Sequence, residues 1–399
     1  MEIEYIDNNE SLGIKYDFNL IRKEFKKLKT PHWIFNPCKI PFDNCKWNVL
    51  MSSRSVGKTT QFILLGMCFN KLYGTQIQYI RLHEDMIMPK FTKELFSVIK
   101  KFKYIERLTG GEYTDVVLKN RRWYYCKYTD EGELEKISPD HFMMMLSSDK
   151  NEIYKSSYNA PLGDIILVDE FIEKYYLQST FISLVDLIKT IARDRLSPII
   201  FLSANTIDKF HPFFKELEIS NIVEKLNFDD STTIETPLGT RIYVELISKF
   251  TKDEKSNELK RKVNSLFYGF KNEKLASITG LDSWSINIYP HTPQEEFTIL
   301  YRNFYIKHLN KLINLEICQN ENNIFINCHY ATKTYPDSEI FTLNNDVTNR
   351  NEYFGFGNRN NKLHRLIFDK ILDNKATYCD NDVGSLVMSY IQSVRKEKI

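Results

Sequence analysis

The sequence lacks most of what would place a chain outside the cell or in a bilayer. No apolar run is long enough to span a membrane. The opening MEIEYIDNNE is acidic and has no apolar signal-peptide core. The seven cysteines, at positions 38, 45, 68, 126, 318, 328 and 379, are odd in number and include no C-x-x-C pair. That fits a reducing compartment and does not fit zinc. Net charge is also nearly missing, because 54 Lys and Arg face 52 Asp and Glu, leaving +2. Nucleic-acid binding must then rest on local basic patches, not on a global field. Residues 226–290 hold no repeat and no low-complexity tract. These absences predict a soluble, intracellular protein with no membrane contact.

What is present is length and an ordinary core. With 399 residues, 42% hydrophobic and 27% charged, the chain predicts two or three domains, each burying its own core. It is organised around WNVLMSSRSVGKTT, Trp47 to Thr60, which runs into QFILLGMCFNKLY. An apolar run, a small polar loop and an apolar helix pattern follow in the order of a P-loop. There, backbone N–H groups curl around phosphates, the lysine reaches the outer phosphates, and the next hydroxyl holds Mg²⁺. The helix N-terminus adds its positive end. The candidate nucleotide-binding residues are Ser52, Ser53, Arg54, Ser55, Val56, Gly57, Lys58, Thr59 and Thr60, with Thr59 also a metal ligand. Only the second half of G-x-x-x-x-G-K-[ST] is strict, because Ser52 stands where the first glycine would be.

Ahead of this stretch, Tyr16 to Lys29 has helical spacing, and Trp33 and Phe35 read as core or crevice packing before base contact. After it, Ile77–Leu82 is a strand and Glu84 to Phe102 reads as a helix, with Pro89 allowed near its first turn. YTDVVLKNRRWYYCKY predicts a hairpin with a basic Lys119-Asn120-Arg121-Arg122 tip, which by itself reads as a solvated turn. His141 to Ser147 is another strand, followed by a polar loop, SSDKNEIYKSSYNAPLG. DIILVDEF, residues 164–171, is an apolar run ending in Asp169-Glu170, the Walker B pattern. Its aspartate supports Mg²⁺, and Glu170 orients or deprotonates the attacking water. Together the two motifs predict a nucleoside triphosphatase. Phe181 to Arg195 is helical, and SPIIFLSAN is the next strand. A polar group at its exit, Asn205, would lie beside the γ-phosphate.

From 226 the texture becomes polar, with a charged helix pattern from Lys252 to Phe270. The expected division is a P-loop domain at 1–225, a linker or hinge subdomain at 226–290 and a C-terminal domain at 291–399. Four β-rich runs and then two helices make the last an α+β unit.

The order of these parts resembles the DNA-packaging ATPase, or encapsidation protein, of phi-twenty-nine-like tailed bacteriophages. SSRSVGKT, the NRR hairpin tip, KSSYNAP, ILVDEF, ARDR before LSAN, PFF, FTLNNDV and the NNKLHRL helix carry the likeness over nearly the whole chain. Ser52 and Ser55 depart from it, standing where that family tends to carry glycines. The resemblance implies an α/β fold: a RecA-like ASCE P-loop ATPase, a linker, and a C-terminal domain like an RNase H nuclease that has lost its metal ligands. It implies ATP and Mg²⁺ as cofactors, with Thr59 and Asp169 at the metal and Glu170 as the catalytic carboxylate. It implies a homomeric ring of five subunits on the portal of an empty capsid in the host cytoplasm, driving double-stranded DNA inward. In some members a packaging RNA is a partner.

Under that resemblance Arg54 acts in cis on the γ-phosphate, and Arg193 is the finger donated to the neighbouring subunit, with Arg195 in reserve. By its position alone Arg193 reads as a helix cap. DNA contacts would come from Lys119, Arg121, Arg122 and Lys150 or Lys155, touching phosphate only. In the C-terminal domain Asn327 stands where an active nuclease would carry an aspartate. Asp337, Asp346, Asp369 and Asp382 read as caps or surface charge, and Arg359, Lys362, His364 and Arg365 as a backbone-binding cluster. The competing readings are a P-loop kinase or another DNA-independent NTPase, and a scaffold with a degenerate P-loop. The adjacent Asp169-Glu170 favours water activation over an organic acceptor, and intact Lys58 and Thr59 weigh against a scaffold.

Overall fold

The computed structural model describes residues 13–31, 34–53, 56–173, 178–206, 208–248, 257–258, 289–293, 296–321, 323–344 and 349–394. The expected roles of Arg54, Ser55, Trp33 and Asp346 lie outside them, as does the helix expected from Lys252 to Phe270.

The first sheet grows from buried apolar runs. Its strands are β1 (Trp47–Ser52), β2 (Ile77–Arg81), β3 (Asp115–Lys119), β4 (Arg122–Tyr128), β5 (Leu134–Ile137), β6 (Met143–Ser147), β7 (Ile165–Asp169), β8 (Ile199–Asn205), β9 (Ser231–Glu235) and β10 (Arg241–Ile247). They lie in the order β3-β4-β6-β2-β7-β8-β1-β10-β9, with β5 on β4. The six from β6 to β10 are parallel, and both their faces are covered, as such strands require. Leu50 of β1 joins the core on one face, and Val49 and Met51 join the core on the other. The helix Lys58–Tyr73, which follows β1, is buried along most of its length. Gly66 lets it close on β2, since a Cβ there would meet Ile77 Cγ1 at 2.5 Å.

The first boundary lies later than 225. β10 pairs in parallel with β1, Trp47 against Ile242 through Ser52 against Ile247, and β9 closes that edge. Residues 231–247 therefore belong to the first sheet and not to a hinge. Glu84 to Phe102 is a chain of short pieces, not one helix: 3₁₀ turns at Glu84–Ile87 and Lys93–Phe96 alternate with helical turns at Pro89–Thr92 and Ser97–Lys101. The polar stretch after β6 is likewise not all loop, because Asn151–Ser157 is helical.

The second sheet comprises β11 (Thr298–His308), β12 (Lys311–Asn320), β13 (Asn323–Tyr330), β14 (Glu339–Thr342), β15 (Glu352–Phe354) and β16 (Ala376–Tyr378), ordered β15-β14-β11-β12-β13-β16. β11 to β13 are antiparallel, whereas β14, β15 and β16 add in parallel. The helices Lys362–Leu372 and Asn381–Val394 bury their apolar faces on it in a third core. All seven cysteines are free. Among the described residues no helix is long and apolar enough to cross a membrane.

Candidate functional site

In parallel sheets the carboxyl ends of the strands collect functional side chains. Here β1 leads at that edge towards the Gly57-Lys58-Thr59 helix start, and Asp169 ends β7 and Asn205 ends β8. Register sets Ser147, Arg81 and Ser203 in one row with Asp169, since Arg81 pairs with Ser147 and Asp169 with Ser203. A crevice of roughly 340 Å³ opens there, lined by Val56 to Thr60, Asp169, Glu170, Ser203, Ala204 and Asn205.

Gly57 starts the helix with φ +82°, and a Cβ there would lie 2.6 Å from Ile34 Cγ2. Having no side chain, it leaves the first helical N–H groups directed at the crevice, a ready anion site. Lys58 is buried, and its ammonium contacts the Ser52 hydroxyl. The serine in place of the pattern's first glycine therefore holds the lysine. Burial pulls the Lys58 pKa down to about 8, although Asp169 and Glu170 oppose the shift. Thr59 Oγ1 donates to Asp169 Oδ1 at 2.9 Å, joining the two motifs directly.

The sequence alone did not reveal Tyr79 or Arg81. The Tyr79 hydroxyl donates to Asp169 Oδ2 at 2.9 Å, and Arg81 Nη1 lies 3.3 Å from the same oxygen. The other arm of Arg81 pairs with Glu170. Glu170 has φ 55°, the left-handed region that side chains seldom occupy. The chain so turns off β7 at once, and the carboxylate faces Arg81.

The donors suit a magnesium nucleotide. A hydroxyl and a carboxylate are hard oxygen ligands, and Mg²⁺ takes one or two protein ligands beside phosphate and water. Among the described residues no group of three His, Cys, Asp or Glu is placed to hold a metal. Phe35 packs on Phe62 in the core, with ring centroids 5.5 Å apart.

Arg193 is far from this crevice. It ends the helix Gln178–Ala192 in the left-handed conformation, φ 46°, and donates to the Tyr158 carbonyl at 2.8 Å. It precedes β8, whose seven residues separate it from Asn205 by roughly 20 Å. Arg195 does the capping expected of its neighbour. It donates to the Ile191 carbonyl at 2.7 Å and pairs with the fully buried Asp164 at 2.6 Å. Engaged in this way it is a structural residue, and its reserve role as a finger does not stand.

The hairpin tip forms as expected. Lys119 faces Arg122, and Asn120 and Arg121 both have positive φ, as a two-residue type I′ turn needs. Its cations differ. Arg121 pairs with Glu84 and donates to the Tyr154 hydroxyl at 3.1 Å. Lys150 lies 3.4 Å from Glu84, and Lys155 pairs with Glu152 at 2.7 Å and Asp186 at 3.1 Å. Lys119 and Arg122 are exposed, with no ion pair among the described residues.

On the second sheet Asn327 donates to Glu316 Oε2 at 3.1 Å and accepts from Thr292 at 2.8 Å. It sits on β13, the third strand. Burial pushes the Glu316 carboxyl up, but bonds from His329 and Asn327 outweigh it and hold the pKa low. His364 is buried and bonded to Glu339, so it supports the core and leaves the expected basic cluster. Arg359, Lys362 and Arg365 remain exposed. Asp382 pairs with Lys209 at 2.7 Å.

No protein-family model and no curated protein matches this sequence. Solved structures do. A chain titled the bacteriophage Phi-29 viral genome packaging motor assembly superposes with a TM-score of 0.51 and 16% identity, covering 91% of this chain and 100% of that one. The Phi-28 gp11 DNA packaging motor gives a TM-score of 0.50 and 15% identity, over 92% of this chain and 99% of that one. At these identities the likeness is one of fold, and it extends through both sheets.

Proposed function

We propose that this chain is an ATP-driven motor subunit that moves double-stranded DNA into a preformed viral capsid. The convergence of Lys58, Thr59, Asp169 and Glu170 on one crevice carries the reading, and the fold shared with two packaging-motor chains supports the biological setting. The first domain reads as a RecA-like ASCE ATPase, because β8 lies between the P-loop strand and the Asp169 strand and a glutamate follows that aspartate. The second domain reads as RNase H-like, because parallel β14 and β15 extend an antiparallel trio from its first strand. With Asn327 in an amide network, its role is docking on DNA, portal or packaging RNA without cleavage.

In this mechanism the loop N–H groups and Lys58 bind the phosphates. Thr59 and Asp169 would hold Mg²⁺, which when bound neutralises charge on the outer phosphates. Glu170 orients a water and takes its proton as the water attacks the γ-phosphorus and ADP leaves. Asn205 senses the γ-phosphate from the end of β8. Arg54 would act from within the loop. Arg193 cannot reach its own crevice, so it serves the neighbouring subunit's in a five-membered ring, where a finger accelerates hydrolysis by about 10³–10⁵. Lys119 and Arg122 would touch DNA backbone, and any sequence would serve. The ring would work in the host cytoplasm, at the capsid portal.

The test is complementation. Arg193→Ala and Glu170→Gln chains, each inactive alone, are mixed under assembling conditions, and phosphate release is followed without an organic acceptor. Some interfaces then join an intact site to an intact finger, so activity should return. Mixed rings that stay inactive would remove the trans role, and ADP formed without phosphate release, and only when an acceptor is added, would favour a kinase.

A further inference from the structure

A short segment after Asn205 is fastened at both ends. On the nucleotide side, the Thr206 N–H donates to the Ser52 carbonyl at 2.9 Å, at the base of the P-loop. The His211 ring Nε2 meets the Glu173 carbonyl at 2.9 Å, three residues beyond Glu170. On the other side, Phe210 is 3% exposed and belongs to the core of the second sheet, with Phe304, Ile306, Leu386 and Tyr390. Its carbonyl accepts from Ser389 Oγ at 3.0 Å, and that hydroxyl also meets the buried His308 Nε2 at 3.0 Å. Lys209 pairs with Asp382 at the start of the helix Asn381–Val394. An aromatic ring from the P-loop half of the chain is thus a component of the other half's core.

Resting on the nucleotide reading above, we infer that Thr206, Lys209, Phe210 and His211 form the link through which the crevice and the C-terminal domain sense each other, with Phe210 as the anchor. Only four residues separate Asn205, on the crevice wall, from Phe210. Bonds hold the first of them to the P-loop and the last to the Asn381–Val394 helix, so little slack remains to absorb a shift. Close-packed cores transmit such shifts, since they tolerate no gradual deformation. The coupling is reciprocal: by whatever factor nucleotide changes the affinity of the C-terminal domain for a nucleic acid, that nucleic acid changes nucleotide affinity.

The test uses the full chain and a non-hydrolysable ATP analogue, with amide hydrogen exchange read across Asn381–Val394. In the wild type, saturating analogue should change exchange in that helix about fivefold or more. Phe210→Leu should keep the response. Phe210→Ala should bind the analogue and lose it. Ser389→Ala, which removes the carbonyl contact without opening a large cavity, should weaken it if Phe210→Ala does not fold. Exchange in the helix that ignores bound analogue in the wild type, or that responds equally in the folded variants, overturns the link. A chain that binds no analogue at all overturns the nucleotide site and the link with it.

Discussion

Nucleotide binding should draw a proton from solution above neutral pH, and Lys58 is the reason. In the free chain its pKa falls from 10.5 to about 8 because the ammonium is buried, a cost on the order of 3 kcal/mol. Phosphates arriving at Lys58 favour the charged form and restore the pKa towards its ordinary value. At pH 9 the free lysine is then about one-tenth protonated and the bound one nearly full, so about 0.9 proton is taken up per nucleotide. At pH 7 the free lysine is already about nine-tenths protonated, and uptake falls to about 0.1. Calorimetric titration with a non-hydrolysable analogue, in buffers of different ionisation enthalpy, reads this number directly. The nucleotide's own phosphates are fully ionised at pH 9 and do not mask it. Uptake near zero at pH 9, or equal at the two pH values, would refute the assignment of Lys58 to the phosphates. The same shift has a sign for stability. The cost is present in full below the folded value and fades as pH rises from about 8 towards 10.5, so this group makes the free chain more stable across that window.

Gly57→Ala should weaken analogue binding at least about tenfold, because the added Cβ meets Ile34 and the backbone is left-handed; wild-type affinity would contradict this. Arg81→Ala should cost about 2–4 kcal/mol in urea unfolding, since it leaves the buried Asp169 short of its cation, and a loss within experimental error would show the pair to be incidental. Lys119→Ala and Arg122→Ala should each lower the salt slope of DNA binding by about 1, whereas Lys155→Ala, already ion-paired, should leave it unchanged.

The elements that carry the crevice were legible because each is a continuous apolar run with a polar end. WNVLMS, DIILVD and SPIIFLSAN all became strands whose last residues line or border it. What those runs do not encode is lateral order. That β8 would lie between β1 and β7, and that β10 would pair with β1, are outcomes of tertiary packing. β9 was hidden because STTIE alternates exposed and half-buried and so has little apolar signal. The break in Glu84 to Phe102 follows from Pro89. It pushes Met88 to ψ 146°, as a residue before proline must be, so the helical spacing could not run through. Arg81 was missed because its partner Asp169, 88 residues further along the chain, leaves no pattern around Arg81 itself. The helix Asn151–Ser157 was missed because two turns in a polar stretch show no periodicity. The departure at Ser52 proved informative in the other direction, as the hydroxyl that meets Lys58.

The central claim, a DNA-driven ATPase, is tested most directly by ATP hydrolysis on assembled protein with and without double-stranded DNA. The account predicts a rate that rises with DNA of any sequence, falls as salt is raised, and vanishes in Glu170→Gln although that chain still binds ATP. Hydrolysis indifferent to DNA at every salt concentration, or undiminished in Glu170→Gln, would contradict it.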